Sequence, residues 1–598
     1  MILTALNDYY ERLVSQPESE IAPLGYSYEK ISFGLVLSSE GKLVDVLDLR
    51  DTSNKKPRPK LMLVTQPPKR AGINPPPVFL WDNTKYALGL TEGQDEKSQK
   101  RAAEAHKAFR DYHEEVLDST DDEGLLALLR FLRQWQPDHS DSFPALTEEI
   151  LDTNVIFRLE GEREFIHQRE AAQELRKQLL EQAESPEGTC LVTGEHAPVA
   201  RVHPSIKGVK DAQSMGASIV SFNERAYESY GKSQGDNAPI SEKAAFAYTT
   251  TLNHLLRNEP DNHQRLQIGD ATTVFWAIAD DQSQTQAAEQ TFAQMLNPGS
   301  SDESETERLK RLLDSVARGQ PLREQDPSLN DDAQIYVLGL APNASRLSIR
   351  YWETGSLQTF ARRMAQHYQD LNLAPQPWKT FPGIWRLLLE TTPHRGTDKK
   401  GSWDDIPPKL SGELTRSILT GRRYPRSLLT NIIMRMRTDG DISGLRVALC
   451  KGVLVRDRRL GVEGTQEEVP VSLDEENTNP GYRLGRLFAA LERAQRAALG
   501  DNLNATIRDR YYGAASATPA SIFPVLLRNA QHHLGRLRKD KPGLAVNLEK
   551  EIGEIMDGLG SSFPKSLRLE SQGQFAIGYY HQFQSHFRKP ETAEQGEE

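Results

Sequence analysis

Two periodicities divide this chain, and the division limits the folds open to it. Up to about Glu353, short apolar or alternating runs bounded by Gly, Pro, Asn and Asp recur between helical patterns. Beyond that point the strand signals fade and apolar residues return every three or four positions. Hairpins first and helices after predict an α+β protein: an N-terminal mixed α/β region with several hairpins, a helical region, then a C-terminal helical bundle. At 598 residues the chain exceeds what one core can serve, and length alone predicts roughly three to five domains.

An amphipathic helix is expected over Thr4–Val14, with Leu6, Tyr10, Leu13 and Val14 on one side. Phe33–Leu37 and Leu43–Leu49 read as a hairpin through Ser39-Glu40-Gly41, with further strands at Leu61–Thr65 and Val78–Trp81. A polar helix over Asp95–Leu117 precedes a buried one carrying Leu125, Leu128, Leu129, Leu132 and Trp135. Asn154–Leu159 with Phe165–His167 predicts a second hairpin around Gly161, and Cys190–Thr193 with Val199–Val202 a third around Gly194-Glu195. Strands are also expected at Ala217–Phe222, Thr272–Ile278 and Ser345–Trp352. Asp281–Gln334, rich in Asp, Glu, Gln, Ser and Pro, reads as a mobile insertion with one short helix bearing Leu309, Leu312, Leu313 and Val316. Four closing helices, Tyr482–Leu499, Pro519–Arg538, Leu544–Leu559 and Gln574–Phe587, form the expected bundle, the second with Thr518 as N-cap and Pro519 at its first position. The domain boundaries this predicts are 1–353, 354–468 and 469–590, with a disordered tail over 591–598.

Only Cys190 and Cys450 are present, which excludes a disulfide framework and points to a reducing, cytoplasmic setting. The start, MILTALNDYYERL, lacks the cationic and apolar regions of a signal peptide, and no run is long enough to span a bilayer. With 84 acidic and 73 basic side chains, a formal charge of -11, the protein is no free-standing DNA coater. Against that background Thr52–Trp81 carries six basic residues (Lys55, Lys56, Arg58, Lys60, Lys69, Arg70), no acid and seven prolines. Such an island attracts polyanions, and the prolines place its charges on stiff loops around short strands. A second basic stretch, Asn504–Val546, has seven basic residues against Asp509 and Asp540. There Tyr511 and Tyr512 are either core residues or base-stacking platforms.

Catalytic patterns fail one by one. Gly231-Lys232-Ser233 lacks the first glycine of a phosphate loop, Ala226 standing in its place. Cys190, His196 and His203 lack a second cysteine at metal-site spacing, so a buried Cys with two surface histidines is the expectation. No His-Glu-x-x-His helix occurs, and no cofactor or metal is expected.

The block HPSIKGVKDAQSMGASIVSFNERAYESYGKSQGDNAPISEKAAFAYTTTLNHLL at His203–Leu256 is dense in Gly, Asn, Ser and Lys. It resembles the signature block of the type I-C CRISPR large subunit, a component of the Cascade interference complex. FLWDNTKYALG (Phe79–Gly89), CLVTGE (Cys190–Glu195), TTVFWA (Thr272–Ala277), LGLAPNASRLSIRYW (Leu338–Trp352), YPRSLL (Tyr424–Leu429) and ATIRDRYYGAASATP (Ala505–Pro519) agree, so the resemblance spans the chain. It implies a non-catalytic subunit of an RNA-guided complex, placed beside the subunit that holds the crRNA 5′ handle and touching crRNA mostly indirectly through the backbone subunits. Its N-terminal part would read a short PAM, typically TTC, on target double-stranded DNA and start strand separation. Its C-terminal bundle would line the displaced strand, and a helicase-nuclease would be recruited in trans. The resemblance further implies a small subunit made from an internal start; with Met434, Met436 and Met556 poorly placed, a non-Met codon at Val469 is the expected start, giving a product of about 130 residues.

Within that resemblance Lys69, Arg70, Gly72 and Asn74 form the expected PAM loop. Asn74 would be suited to base edges, Gly72 would allow close backbone approach, and Lys55, Lys56, Arg58 and Lys60 would grip phosphates. Lys207, Lys210, Gln213, Asn223 and Lys232 are expected to contact DNA or the crRNA-handle subunit, with capping an open alternative for Gln213 and Asn223. Arg508, Arg510, Arg536, Arg538 and Lys539 are assigned to the displaced strand. Two rivals stand beside this reading. One is a crRNA-processing ribonuclease with His203 as general acid and Lys207 as its electrostatic partner; the other is a stand-alone duplex-DNA-binding regulator.

Overall fold

The computed structural model describes residues 1–16, 19–53, 56–68, 76–138, 143–181, 186–299, 303–394, 401–462, 468–500 and 505–587. They form two compact units, 1–207 with 213–254 and 208–212 with 255–598. The fold is α+β, with strand hairpins early and helices late, as the periodicities require.

In the first unit, helix α1 (Ile2–Val14) opens the chain, and β1 (Tyr26–Ile31), β2 (Phe33–Leu37), β3 (Leu43–Asp48) and β4 (Lys60–Thr65) follow. Next come β5 (Trp81–Asn83), α2 (Thr84–Ala87), α3 (Glu96–Val116), α4 (Glu123–Gln134) and β6 (Asn154–Leu159). A four-stranded mixed sheet runs β3-β2-β6-β5, with β2 parallel to β6 and the other pairs antiparallel. Every residue of β2 is buried, which is why FGLVL reads as a continuous apolar run rather than an alternating one. One face of this sheet packs under α3 and α4 through Leu35, Phe157, Phe109, Leu128 and Phe131. On the other, the antiparallel ribbon β1–β4 closes a small core of Ile31, Val64, Val78, Trp81 and Ile156. The β2–β3 hairpin turns where expected, Gly41 taking φ +81°.

The second expected hairpin does not form. Arg158 and Phe165 make only an isolated bridge, because β6 already has partners on both sides and Phe165 leads into a 3-10 turn at Ile166–Gln168. After α5 (Glu170–Glu181), the third hairpin exists three residues out of place, as β7 (Glu187–Thr189) and β8 (His196–Pro198). Cys190–Glu195 is its turn, held by the Cys190 amide to the Glu195 carbonyl at 2.8 Å and by backbone donation from Val192 to Sγ at 3.4 Å. The strand expected at Ala217–Phe222 reduces to one bridge between Ile206 and Ala217. Helix α6 (Glu242–Leu255) packs its Phe246 edge-on against Tyr10 of α1, the ring centroids 5.8 Å apart.

The second unit begins with an antiparallel sheet ordered β12-β11-β10-β9, from β9 (Arg265–Ile268), β10 (Ala271–Ile278), β11 (Gln334–Asn343) and β12 (Arg346–Ser356). Trp276, Tyr336 and Trp352 stack across three of its strands, with centroids 5.2 and 5.7 Å from the Trp276 ring. Between β10 and β11 lie two helices, α7 (Gln282–Leu296) and α8 (Glu303–Ala317), where the sequence predicts one in a mobile insertion. Phe292, Met295, Leu296, Leu309, Leu312, Leu313, Val316, Leu322 and Leu329 are all buried in the core of this unit, so Asp281–Gln334 is part of it and not an appendage. The boundary expected at 353 falls inside β12.

Helices α9 (Leu357–Leu371), α10 (Ile384–Leu389), α11 (Pro408–Thr420), α12 (Arg426–Asp439) and α13 (Gly444–Arg459) lead to the closing array. That array is α14 (Pro480–Leu499), α15 (Ile507–Ala517), α16 (Pro519–Asp540), α17 (Pro542–Asp557) and α18 (Leu569–Ser585). The four predicted helices are all present, with Pro519 at the start of α16, and α15 is added. Thr518 makes no side-chain cap; its hydroxyl donates to the Ala514 carbonyl of the preceding helix at 3.1 Å. α14 and α18 cross at glycines: a Cβ on Gly485 would stand 2.0 Å from the Phe575 carbonyl oxygen, and one on Gly578 2.0 Å from that of Tyr482. Backbone-to-backbone contact of this kind admits no side chain at either position. The expected terminal tail, 591–598, lies outside the described residues.

Candidate nucleic-acid interface

The basic island is built around β4. Register pairs Lys60 with Ile31 at one end of the ribbon and Thr65 with Tyr26 at the other, a separation of about 17 Å along the strand. Lys56, Arg58 and Lys60 are exposed at the first end, where Arg58 and Asp51 exchange backbone bonds of 3.0 and 2.8 Å. Lys30 on β1, exposed opposite Leu61, adds a cation that composition alone does not place there. Lys69, Arg70, Gly72 and Asn74, and Lys55 at the other end, lie outside the described residues. The chain enters the connection that holds Lys69–Asn74 from the Thr65 end of β4, the end opposite Lys60.

The base of that connection is held closed. The Thr65 hydroxyl donates to the Phe79 carbonyl at 2.5 Å, and the Trp81 indole N–H donates to the Thr65 carbonyl at 2.8 Å. The Val78 amide donates to the Asp82 carboxylate at 2.9 Å. Leu80 sits in the left-handed region at φ +65°, its amide donating to Nε2 of His113 at 2.9 Å. His113 is fully buried, stacks on Phe79, and bonds through Nδ1 to the Phe109 carbonyl at 2.7 Å. An Nε2 that accepts fixes the neutral tautomer, and burial pushes the imidazole down to about 4. FLWDNTKYALG is therefore a clamp, with Phe79, Leu80, Trp81, Asp82, Thr84, Tyr86, Ala87 and Leu88 all buried.

In the His203–Leu256 block the Lys207 amide donates to Asn253 Oδ1 at 2.8 Å while its ammonium stands 3.7 Å from Glu29. Lys210 belongs to the second unit, where its amide donates to the Thr272 hydroxyl at 3.0 Å. Gln213, Asn223 and Lys232 are exposed in the first unit. The backbone carbonyls of Gln213 and Lys232 are occupied by Gly216 and Asn237, and the Gln213 side chain caps nothing among the described residues. Tyr230, fully exposed at φ +55°, and Gly231 form the tip of this segment; the Gly-Lys-Ser string is thus an open loop.

On the bundle the five assigned cations separate. Arg508 is half-buried beside Tyr579 and Glu492, so it serves the core and not an outer strand. Arg538 points to Glu549 of α17 at 2.5 Å and Arg536 to Asp540 at 3.7 Å. Arg510 and Lys539 are exposed. Arg528 and His532, also exposed, fall with Arg536 and Lys539 on one face of α16, a stripe about 16 Å long. The i, i+4, i+8, i+11 spacing in the sequence carries that signal. Tyr512 is buried, which takes it out of base stacking.

His203 is buried, its Nδ1 bonded to the Tyr248 hydroxyl at 2.6 Å, against the expectation of a surface histidine; His196 is exposed and Cys190 buried as expected. The described residues contain no cluster of His, Cys, Asp and Glu that would hold a metal ion, and no helix long and apolar enough to cross a membrane.

A strand-rich unit with a clamped, basic-flanked connection, joined in one chain to a sheet-and-helix unit that ends in a bundle, defines a two-unit α+β protein with exposed cationic edges. The family model for CRISPR-associated protein Cas_Csd1 matches residues 6–587, and the chain belongs to that family, making it a large subunit of type I-C Cascade. A search of curated proteins returns no match.

Proposed function

We propose that the chain is the non-catalytic large subunit that reads a PAM on duplex DNA with its first unit and promotes strand separation and R-loop formation. In this reading the exposed face of α16 holds the displaced strand and a helicase-nuclease is received in trans. The target sequence itself is read by RNA–DNA pairing, so the protein needs only a short readout and backbone grips. The observation that carries the reading is the clamp at Thr65, Phe79 and Trp81, which fixes the residues flanking the connection that bears Lys69–Asn74, at the end of β4 opposite its exposed cations. The partners are the crRNA-bearing backbone subunits, the 5′-handle subunit and a small subunit equivalent to the bundle. The ribonuclease rival draws no support from His203, which is buried.

The test is binding of the guide-loaded complex to duplexes with a matched or a scrambled PAM. Asn74→Ala is expected to lower the preference between the two. Lys69→Ala with Arg70→Ala is expected to weaken both. Equal weakening of both duplexes by Asn74→Ala removes Asn74 from the readout. Full-length chain alone, with no shorter product from the intact gene, would refute the internal start.

A further inference from the structure

The second unit carries an acid-free stretch of its own: Leu414–Thr438 holds six arginines and no Asp or Glu. We propose that the surface around Gly421–Tyr424 binds the phosphodiester backbone of a nucleic acid without regard to sequence. This site would act in addition to the β4 end and the α16 stripe.

Three elements converge there. Arg363 of α9 donates to the Leu419 carbonyl at the end of α11 at 2.7 Å and lies against Gly421. Arg423 grips Asp457 of α13 with two bonds of 2.7 Å. Arg456 lies over the Tyr424 ring at 3.9 Å and donates to the carbonyls of Ser417 and Arg422 at 2.9 and 3.2 Å. Asp370 of α9 receives both Arg456, at 2.8 Å, and Arg459, at 2.5 Å. Arg422 is exposed and makes no ion pair among the described residues, and Arg458 meets only the well-exposed Glu468 at 3.9 Å.

The arrangement differs from ordinary surface charge. The two carboxylates inside the cluster, Asp370 and Asp457, are buried, while Arg423 and Arg459 remain 43 and 34 % exposed. Each guanidinium is thus held by two bonds to a buried acid while its side chain stays partly exposed. A planar fork fixed in this way matches the bidentate geometry of phosphate and loses little freedom on binding. At the amino end of α12 the cap is Pro425, which provides no side-chain acceptor, while the first helical residue, Arg426, is taken up by Glu570 at 2.7 Å and adds no unpaired charge. Tyr424 is buried and the turn presents no free aromatic face, so the recognition is of backbone and not of bases.

The test uses the full-length chain and three probes: a single-stranded RNA 30-mer, a single-stranded DNA 30-mer and a 30-bp duplex, read by fluorescence anisotropy across a salt series. Arg422→Glu with Arg458→Glu leaves both buried carboxylates paired, so the fold is retained; Arg422→Lys with Arg458→Lys keeps the charge. The glutamate pair is expected to weaken at least one probe tenfold or more and to flatten its salt dependence by about 1.5 in log–log slope. The lysine pair should lose much less, and the probe that responds most identifies the polymer. Lys56→Ala, Arg58→Ala and Lys60→Ala measured in parallel separate this site from the β4 reading. Unchanged affinity and slope for the glutamate pair on all three probes overturn the proposal, whatever the β4 variants do. Absence of salt-dependent binding by the unaltered chain overturns it too.

Discussion

Replacing His113 by Phe removes both its hydrogen bonds, to the Leu80 amide and to the Phe109 carbonyl, under the base of the Lys69–Asn74 connection, and tests whether the clamp holds that base. The ring volume and the stacking on Phe79 are kept, while the acceptor for the Leu80 amide is lost. Leu80 is fully buried at φ +65°, so its N–H has no route to water. An orphaned buried donor costs about 1–3 kcal/mol, and release of the left-handed turn returns roughly 1–2 of strain only if the clamp opens. Opening of Leu80–Asn83, not global unfolding, is the expected first consequence. The pH dependence gives an independent sign. An imidazole at about 4 in the folded protein and about 6.5 unfolded stabilises the fold fully above pH 6.5, and the contribution falls as pH drops toward 4. The folded state binds fewer protons in that window, so acid opposes it, by about 3 kcal/mol over the whole range. His167 is lowered to the same value and remains in the variant, so the informative quantity is the difference between the two proteins. Hydrogen exchange across Phe79–Asn83 and urea unfolding at pH 7 and pH 4.5 provide both readouts. His113→Phe should lose protection at pH 7, and its stability deficit should shrink or reverse at pH 4.5. Retained protection with a pH-independent difference would refute the clamp.

Three further outcomes follow from named contacts. Asp370→Ala leaves Arg456 buried without its carboxylate, and urea unfolding should show a loss of about 3–5 kcal/mol; a loss below one would sink the account of that node. Gly485→Ala places a methyl 2.0 Å from the Phe575 carbonyl, and thermal unfolding should show a loss of about 1–3 kcal/mol, with α18 shifted away from α14. Neutralising Lys56, Arg58 and Lys60 together should weaken matched and scrambled PAM duplexes alike, lowering the salt slope by up to about 2.7; a selective loss on the matched duplex would make these residues readers.

What was legible in the sequence follows the range of the interactions. The β2–β3 hairpin and the four closing helices are local: a glycine turn, a proline at a first helical position and a 3.6-residue stripe specify them. The parallel pairing of β2 with β6 joins residues more than a hundred positions apart, and nothing near Asn154 announces it. Phe292, Met295 and Leu296 mark α7 as a packed helix, but its Gln, Ser, Thr and Glu residues outweigh them in any composition count. The candidate site was legible in its charge and not in its pairing. Arg508, Arg510 and Arg538 look alike in a string of letters, yet one is half-buried beside Glu492, one is exposed and one is held by Glu549.

The short strings that carry the family resemblance turn out to be framework. FLWDNTKYALG is the clamp, TTVFWA is the buried centre of a sheet, and in YPRSLL Tyr424, Leu428 and Leu429 are buried while Arg426 reaches Glu570. Framework of this kind also bears on whether the bundle can exist as a separate product beginning near Val469. Its helices do not close on themselves. Gly573 of α18 lies against Leu454 and Leu429, at 3.3 and 3.6 Å from a Cβ built there, and Tyr580 reaches the start of α13 beside Gly444. One apolar core runs without interruption from Ile268 to Tyr580. A detached 469–598 chain would carry the α18 face that α12 and α13 now cover, and an apolar face of that kind requires a partner in water. The separate product is therefore expected to associate, with itself or with a backbone subunit, wherever the full-length chain supplies α12 and α13 in cis. Sedimentation of the isolated 469–598 chain decides it: a stable, non-associating monomer would show that the bundle repacks on its own and that its contacts with α12 and α13 are dispensable.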